Sequence, residues 1–216
     1  MSDDLPPRYA ITLLRHGESV GNAEARWQGQ ADYPLTDKGR VQARVLAEYW
    51  LANDVTFDLI LASPQVRAKD TAEIIANALK IPLEFDPIWR ERFIGAAAGL
   101  THEELRRQIP QPDFRTPYDA IGDENGEGNW ELFLRAGKAL HNVLSRPPAR
   151  YLVVSHGGFL NQFMHAVLGI PPQANDQGVR FRWGNTGYAR LMYYPHRHTW
   201  QVQAVNERTH WKNYIG

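Results

Sequence analysis

Residues 9–17 read YAITLLRHG and decide the fold class. The first six of them are apolar or β-prone, which predicts a buried strand over residues 9–14. An arginine, a histidine and a glycine follow at once. Ligands of an open α/β sheet bind at the carboxyl ends of its strands, so we expect Arg15 and His16 to lie at a binding site.

The same pattern recurs late in the chain, where residues 150–158 read RYLVVSHGG. This second apolar strand also ends in a histidine and glycines, and helical spacing follows over residues 159–168. If the two strands are parallel, His156 and Gly157 lie at the same sheet edge as His16. The chain is therefore predicted to be an α/β protein with a mostly parallel sheet.

Further helices and strands alternate between and after these stretches. Thr36 is the predicted N-cap of a helix that ends near residue 53. Ser63 followed by Pro64 predicts another N-cap, with proline at the first helical position. Helical spacing returns over residues 130–144. Additional strands are predicted over residues 58–62, 81–85, 179–183, 188–194 and 200–205.

A long irregular segment is expected over about residues 96–128. Thr101 opens a capping box, which predicts a short helix that ends at Pro110. Residues 110–128 are rich in proline, glycine and acidic residues and show little periodicity. We interpret the segment as an excursion over the sheet edge that serves as a lid. No linker-like tract divides the chain, so residues 1–216 are expected to form one domain.

Composition excludes several classes of function. The chain has 216 residues, a formal net charge of zero and no cysteine, which excludes disulfides, thiolate catalysis and cysteine-based zinc sites. A neutral chain without a basic stripe is not expected to bind nucleic acid or a membrane surface. The N-terminus lacks the apolar core of a signal peptide, so we expect a cytoplasmic protein.

Arg15 and Arg67 are the candidate anion-binding cations. A guanidinium presents a planar fork that matches two oxygens of a phosphoryl group. Arg67 is expected about one turn into the helix that follows residues 58–62, near the positive end of its dipole. The alternative is a surface arginine paired with Asp70 or Glu73. An arginine next to His16 also disfavours a metal cation and favours an anionic substrate.

A phosphoryl group held by these cations indicates phosphoryl transfer chemistry. His16 would attack phosphorus, and His156 would add a third donor to the nonbridging oxygens. An alkoxide is a poor leaving group, so an acid must protonate it. Glu91 is the best candidate if it is partly buried and if Arg90 and Arg92 point away from it. The alternatives are a structural histidine at position 16 and a solvated ion-pair partner at position 91.

Together these motifs resemble the histidine phosphatase superfamily, in its phosphoglycerate mutase-like branch. The matching segments run in family order over about residues 9–190. They are Leu14-Arg15-His16-Gly17-Glu18-Ser19 with Asn22, Gln28-Gly29, Leu35-Thr36-Asp37-Lys38-Gly39, Ser63-Pro64-Gln65-Val66-Arg67-Ala68 with Thr71-Ala72, Glu91 with Gly95, Val154-Ser155-His156-Gly157-Gly158, and Asn185-Thr186.

The resemblance implies a three-layer α/β/α sandwich and a phosphohistidine intermediate on His16, with no metal and no organic cofactor. By matching position it makes Arg15, Arg67 and His156 the phosphate pocket and Glu91 the proton donor. Further substrate contacts are implied for Asn22, Gln28, Gly29 and Gly157.

The expected reaction is hydrolysis of a small phosphomonoester, with inorganic phosphate as product. The alternatives are phosphotransfer of the cofactor-dependent phosphoglycerate mutase type and a noncatalytic protein on the same fold. We favour the phosphatase because residues 110–128 are acidic, with Arg115 as their only basic residue, whereas the glycolytic mutases carry a basic insertion. The segments 97–99 (AAG) and 126–128 (GEG) depart from the family pattern, which leaves the substrate wall and the specific substrate undetermined. A homodimer is left open.

The remaining aromatic residues and histidines are interpreted as structural. For five tryptophans the core is the first interpretation and a substrate wall the alternative: Trp27, Trp89, Trp130, Trp183 and Trp200. Six histidines are expected to be structural or on the surface: His102, His141, His165, His196, His198 and His210.

Overall fold

A six-stranded sheet forms the centre of the computed structural model, which describes residues 7–109 and 112–215. The strands are β1 (Tyr9–Arg15), β2 (Leu59–Ala62), β3 (Leu83–Phe85), β4 (Arg150–Ser155), β5 (Tyr188–Tyr194) and β6 (Thr199–Glu207). They lie in the order β3-β2-β4-β1-β5-β6. The first four strands in this order are mutually parallel, and β5 and β6 each run antiparallel to their neighbours. The predicted α/β class with a mostly parallel sheet is confirmed.

Helices cover both faces of the sheet. They are α1 (Val20–Ala23), α2 (Asp37–Ala52), α3 (Val66–Leu79), α4 (His102–Gln108), α5 (Asn129–Leu144), α6 (Gly157–Leu168) and α7 (Thr209–Ile215). Thr36 caps α2 as predicted, since its Oγ1 accepts the Gly39 N–H at 3.0 Å. Helices α2 and α3 pack on one face of the sheet and α5 and α6 on the other. The α/β/α sandwich is therefore also confirmed.

Alternation along the central strands divides the core between the two faces. On β1, Ile11 and Leu13 join the cluster that contains α5 and α6, whereas Leu14 joins the cluster that contains α2 and α3. On β4, Val153 and Val154 divide in the same way. Successive side chains of a strand point to opposite faces, so each strand supplies both cores. The sheet is therefore buried between two layers of helices, and this packing holds the carboxyl ends of its parallel strands in place.

One predicted strand is wrong. Residues 179–183 have no regular structure, although their side chains alternate. The Asn161 side chain of α6 binds both backbone groups of Phe181. Its Oδ1 accepts the Phe181 N–H at 2.7 Å, and its Nδ2 donates to the Phe181 carbonyl oxygen at 2.9 Å. These are the groups that a neighbouring strand would have used. The segment is therefore held against α6 instead of joining the sheet.

The predicted cap at Ser63 is also wrong. Helix α3 begins at Val66 and its N-cap is Gln65, whose side chain does not cap the helix. Ser63 lies before the helix, and its hydroxyl contacts His156, as described below. Serine and proline at the end of β2 therefore form a short connection, in which the Ser63 hydroxyl accepts the Gln65 N–H at 3.3 Å and also contacts the histidine.

Within residues 96–109 and 112–128, the described parts of the segment, α4 is the one α-helix, and a 3-10 turn at Gly95–Ala97 precedes it. Thr101 and Glu104 form the predicted capping box at the start of α4. Pro110, the predicted end of that helix, lies outside the described residues. A small apolar cluster of Ile94, Ala97, Leu105 and Ile121 packs this segment. Among the described residues no helix combines the length and apolarity needed to cross a bilayer.

Candidate active site

The two histidines that follow strands lie side by side at the carboxyl edge of the sheet. Arg15 is paired with Ser155 at the ends of the parallel strands β1 and β4, so a histidine directly follows each strand at the same level. The His16 N–H donates to the Ser155 carbonyl oxygen at 3.0 Å. The centroids of the His16 and His156 rings are 5.2 Å apart. Both side chains are buried.

The His16 ring is oriented by its own backbone neighbour. Its Nδ1 lies 2.6 Å from the Gly17 carbonyl oxygen, which only accepts hydrogen bonds, so Nδ1 carries the proton. Its Nε2 has no hydrogen-bond partner among the described residues. Burial lowers the pKa of His16 well below its ordinary value, and the charges of Arg67 and Arg15 lower it further. At neutral pH the ring is thus neutral, with the proton on Nδ1 and with Nε2 available as a nucleophile.

Ser63 orients the His156 ring. Nε2 of His156 and Oγ of Ser63 share a hydrogen bond of 2.8 Å. Nδ1 of His156 is buried and has no partner among the described residues. Burial lowers the pKa of His156 well below its ordinary value, with Arg67, His16 and Arg15 as further causes. The free Nδ1 suits His156 for a contact with a bound anion, whose negative charge would favour protonation of the ring.

Arg15 and Arg67 bring two guanidinium groups to the histidines. Nη1 of Arg15 donates to the Trp183 carbonyl oxygen at 2.6 Å, and an ideal Cβ on Gly157 would lie 3.6 Å from Arg15 Nε. Arg67 donates to the carbonyl oxygens of Gly29 at 2.7 Å and Ala31 at 2.8 Å. Nε of both arginines is buried without a partner. The backbone therefore fixes both groups, and neither is neutralised by a paired carboxylate.

The alternative of Arg67 as a surface ion-pair partner is wrong. The side chain is 1% exposed, and Asp70 instead forms an ion pair with Arg40 at 2.8 Å. Burial lowers the pKa of Arg67 to about 10, and the charges of Glu91 and Asp32 oppose this lowering. The group stays cationic at neutral pH and so keeps its attraction for an anion.

Glu91 reaches the same site from the loop after β3. Its carboxylate accepts backbone N–H groups from Gly158 at 2.9 Å, from Phe159 at 2.9 Å and from Arg92 at 2.9 Å. Two of these donors belong to the first turn of α6, which His156 caps. The close approach requires a glycine at 158, because a Cβ there would lie 2.6 Å from Oε1 of Glu91. The carboxylate is thus fixed next to the second histidine.

The expectation for the neighbours of Glu91 is correct for Arg90 and wrong for Arg92. Arg90 is exposed. Arg92 turns inward, where its Nη2 donates to Oδ1 of Asn129 at 2.7 Å and its Nη1 is buried without a partner. Burial lowers the pKa of Arg92, and the carboxylate of Glu91 opposes this lowering. The Asn129 amide oxygen accepts one N–H of Arg92 but leaves its charge unneutralised. The sequence does not reveal this contact, because the two residues lie far apart in the chain.

Asn22, Gln28 and Gly29 lie between β1 and α2, with Asn22 in the short helix α1. Oδ1 of Asn22 accepts from Nδ2 of Asn185 at 3.0 Å, and Oε1 of Gln28 accepts from Oγ of Ser19 at 2.7 Å. Gly29 has a φ of +48°, which favours glycine, and its carbonyl oxygen binds Arg67. Asn185, which binds Asn22, also donates to the His16 carbonyl oxygen at 3.2 Å, so this segment is tied to the backbone of the first histidine. Contact of Asn22, Gln28 and Gly29 with a substrate stays a prediction.

A cavity of about 290 Å³ adjoins Glu91. Gly158, which binds the Glu91 carboxylate, is part of its lining. Polar side chains supply much of the remaining wall: Arg92, Asn129, Gln162, His165 and Arg180. The cavity therefore meets the candidate site at Gly158, and its lining does not include His16, His156, Arg15 or Arg67.

Most of the tryptophans are structural. Trp89 and Trp183 are buried in the core, and Trp200 packs against its edge. Trp130 stacks on Tyr118. Trp27 lies in the lining of the cavity and donates to Nδ1 of His102 at 3.0 Å.

Three residues that the sequence interpretation did not assign to the site complete it. Ser63 binds His156, Gln65 accepts the Glu91 N–H at 2.7 Å, and Arg135 donates to the Glu91 carbonyl oxygen at 3.2 Å. Ser63 could have been found, because it follows β2 just as His16 follows β1. Arg135 lies in the middle of α5 and carries no local signal. In the described part of the chain, no group of three or more His, Asp or Glu side chains could hold a metal ion.

Comparisons with known proteins agree with this geometry. The family description "histidine phosphatase superfamily (branch 1)" matches residues 11–208. A probable phosphoglycerate mutase GpmB of Enterobacter sp. (strain 638) is 38% identical over 193 residues, covering 85% of this chain and 84% of that protein. The solved structure of Bacillus stearothermophilus YhfR has a TM-score of 0.79 at 29% identity and covers 94% of this chain and 98% of its own.

A phosphoserine phosphatase of Entamoeba histolytica, solved with 3-phosphoglyceric acid, has a TM-score of 0.76 at 25% identity. It covers 94% of this chain and 98% of its own. The names of these relatives include both mutases and phosphatases. The region that matches the family, residues 11–208, contains every catalytic candidate. The chain belongs to the histidine phosphatase superfamily (branch 1).

Proposed function

We propose that this enzyme hydrolyses small phosphomonoesters through a phosphohistidine on His16. The observation that carries the proposal is the pair of neutral imidazoles 5.2 Å apart, with two guanidinium groups beside them that no carboxylate neutralises. Arg15, Arg67 and His156 would hold the nonbridging oxygens of the phosphoryl group. The backbone holds these donors in place before substrate arrives, which lowers the cost of organising the transition state.

In the first step, Nε2 of His16 attacks phosphorus and the P–O bond to the leaving group breaks. Glu91, in its acid form, gives a proton to the departing oxygen and becomes a carboxylate. In the second step, that carboxylate takes a proton from water, and the oxygen attacks the phosphohistidine. The N–P bond breaks, inorganic phosphate leaves, and both His16 and Glu91 return to their starting forms.

Hydrolysis is favoured over mutase chemistry by the charges of residues 112–128. Arg115 lies 3.6 Å from Asp176 in an ion pair, so the basic group of this segment is already engaged. Asp123, Glu127 and Asp119 hold backbone N–H groups in and next to the same segment. A mutase must retain the anionic substrate through a second phosphoryl transfer, and this wall supplies few free cations for that task. The phosphotransferase is the second candidate because of the curated relatives' names.

Hydrolysis of 4-nitrophenyl phosphate in the presence of EDTA tests the proposal. We expect metal-independent turnover and an acid-labile phosphoenzyme, and we expect His16→Ala to reduce the rate by about a thousandfold or more. His141→Ala is the matched control, since the His141 side chain is exposed on α5 and contacts Ser145 instead of a residue of the candidate site. Turnover that survives in His16→Ala, or that depends on a divalent metal, would contradict the mechanism.

A second assay separates the two candidate functions. With 3-phosphoglycerate as substrate, release of inorganic phosphate without formation of the 2-phospho isomer supports the phosphatase. Isomer formation faster than phosphate release supports the phosphotransferase. The lid function of residues 96–128 and a cytoplasmic location stay predictions from the sequence, and a homodimer stays open.

A further inference from the structure

A basic pocket of about 480 Å³ opens beside Arg15, away from Glu91. It lies at the carboxyl edge of the sheet, between the start of α2 and the connection from β6 to α7. Five cationic side chains line it: Arg15, Lys38, Arg182, Arg208 and Lys212. His16, His156, Arg67 and Glu91 are not part of its lining. The basic pocket and the candidate active site therefore share Arg15 and are otherwise built from different residues.

The positive charge of the basic pocket is largely uncompensated. Glu18 is the one carboxylate in its lining, and it is already held by Lys38 at 2.7 Å. The side chains of Arg182, Arg208 and Lys212 form no hydrogen bond or ion pair with any described residue. Arg208 is half-buried, whereas Arg182 and Lys212 are exposed, so the repulsion is greatest at Arg15 and Arg208 and would be relieved when an anion enters beside them.

Buried N–H groups without acceptors belong to residues that line the basic pocket. Nε1 of Trp183 and Nε of Arg208 are buried and have no partner in the described chain. Buried donors are normally satisfied, so two such groups on residues that line one pocket need an explanation. The Arg208 side chain also packs closely on Gly184, where an added Cβ would lie 2.8 Å from Nε. Its guanidinium has no acceptor among the described residues.

We infer that the basic pocket is a second oxyanion site, for a phosphate-class anion bound by Arg208, Arg182 and Lys212. Guanidinium groups bind phosphate oxygens in pairs, and the lysine adds a mobile point charge. The pocket is large enough for one phosphate with its water. The anion has two chemical sources, free inorganic phosphate and the second phosphate of a bisphosphorylated substrate whose first phosphate lies at His16.

Calorimetric titration with inorganic phosphate tests the inference without relying on turnover. We expect two phosphates per chain for the native enzyme, and one for the variant Arg182→Gln/Arg208→Gln, with the lost site weakened at least about tenfold. The matched control is Arg197→Gln, which removes an exposed cation from the turn after β5, at the opposite edge of the sheet. It should keep both sites. Competitive inhibition of 4-nitrophenyl phosphate hydrolysis by phosphate should change less than about threefold in all variants, because that constant reports the site at His16.

Butyl phosphate and butane-1,4-diol bisphosphate distinguish the two sources. If the second phosphate of a substrate is bound, the KM of the bisphosphate rises about tenfold in the double variant while that of the monophosphate stays nearly constant. If free phosphate is bound, the two KM values keep their ratio and only the stoichiometry falls. A single phosphate per native chain, or a second phosphate that persists in the double variant, overturns the inference whether or not the enzyme hydrolyses esters.

Discussion

Arg135 of α5 grips the carboxylate of Glu127, with Nε 2.8 Å from Oε1 and Nη2 2.7 Å from Oε2. The same guanidinium donates to the carbonyl oxygens of Ile88, Arg90 and Glu91. Glu127 in turn accepts the Phe93 N–H at 2.8 Å. The ion pair therefore fastens the loop that carries Glu91 to α5 and to the end of residues 96–128. We expect it to position the proton donor without contacting the substrate.

Replacing Arg135 should make the reaction depend on the leaving group. We expect Arg135→Met to lower turnover of butyl phosphate by about tenfold or more, since a displaced general acid loses part of its catalytic effect. Turnover of 4-nitrophenyl phosphate should fall less than about threefold, because nitrophenolate leaves without a proton. Parallel steady-state assays of the two esters measure the difference. Arg146→Met is the control, since Arg146 pairs with Glu84 outside the site. An equal loss on both esters would show a merely structural role.

The glycine at 158 should be required for the position of Glu91. An added Cβ would lie within 3.3 Å of both carboxylate oxygens, so Gly158→Ala should displace the carboxylate and reduce butyl phosphate turnover. Gly137→Ala on α5 is the matched control, because a Cβ there meets nothing within 4 Å. It should leave activity unchanged and stabilise the fold by about 0.5–1 kcal/mol in urea unfolding. Full activity in Gly158→Ala would contradict the proposed close approach.

Ser63 should hold the His156 ring in the orientation in which it contacts the phosphate. Removing the hydroxyl in Ser63→Ala takes away the only protein partner of Nε2 found in the described residues. We expect kcat to fall by about tenfold, by analogy with other losses of a hydrogen bond that orients a catalytic side chain. The pH dependence of kcat should change as well, since the serine biases the protonation of the ring. Ser145→Ala, which removes a similar contact to His141, is the control and should behave as the native enzyme.

Stability should decrease as the pH falls below about 6.5, the ordinary pKa of an unfolded histidine. Burial lowers the pKa of His16 and His156 well below this value and that of His210 to about 4. Between the folded and unfolded pKa values the unfolded chain binds protons that the native chain does not, so protonation favours unfolding. Each such histidine lowers the free energy of unfolding by up to about 1.4 kcal/mol per pH unit.

Urea unfolding at pH 7.5, 6.5, 5.5 and 5.0 in phosphate-free buffer measures this effect. At pH 7.5, about one unit above the ordinary histidine pKa, the three histidines are mostly neutral in both states and their contribution is nearly constant. His210→Gln should reduce the slope between pH 6.5 and 5.0 compared with the native chain. A free energy of unfolding that stays constant over that interval would contradict the neutral, buried state of the histidines.

Much of the site could be predicted because it lies at strand ends. The runs before Arg15 and His156 are apolar and β-prone, and each ends in histidine and glycine, so the fold class and the edge follow from local pattern. The family resemblance supplied Asn22 and Gln28, and the need for an acid at the leaving group singled out Glu91. Residues in helices and in the irregular segments could not be named, because Arg135 and Asn161 look like ordinary helix positions in the sequence.

By itself, the sequence determined which residues end the buried strands, since alternation and apolarity are local properties of the chain. Only the tertiary structure decided which of these residues meet. The register that pairs Arg15 with Ser155 places the imidazoles together, the end of β2 brings Ser63 to one of them, and Asn129 draws Arg92 inward. Asn161 likewise removes residues 179–183 from the sheet. These are contacts between residues distant in the sequence, and their geometry depends on how the layers pack, which local propensity does not encode.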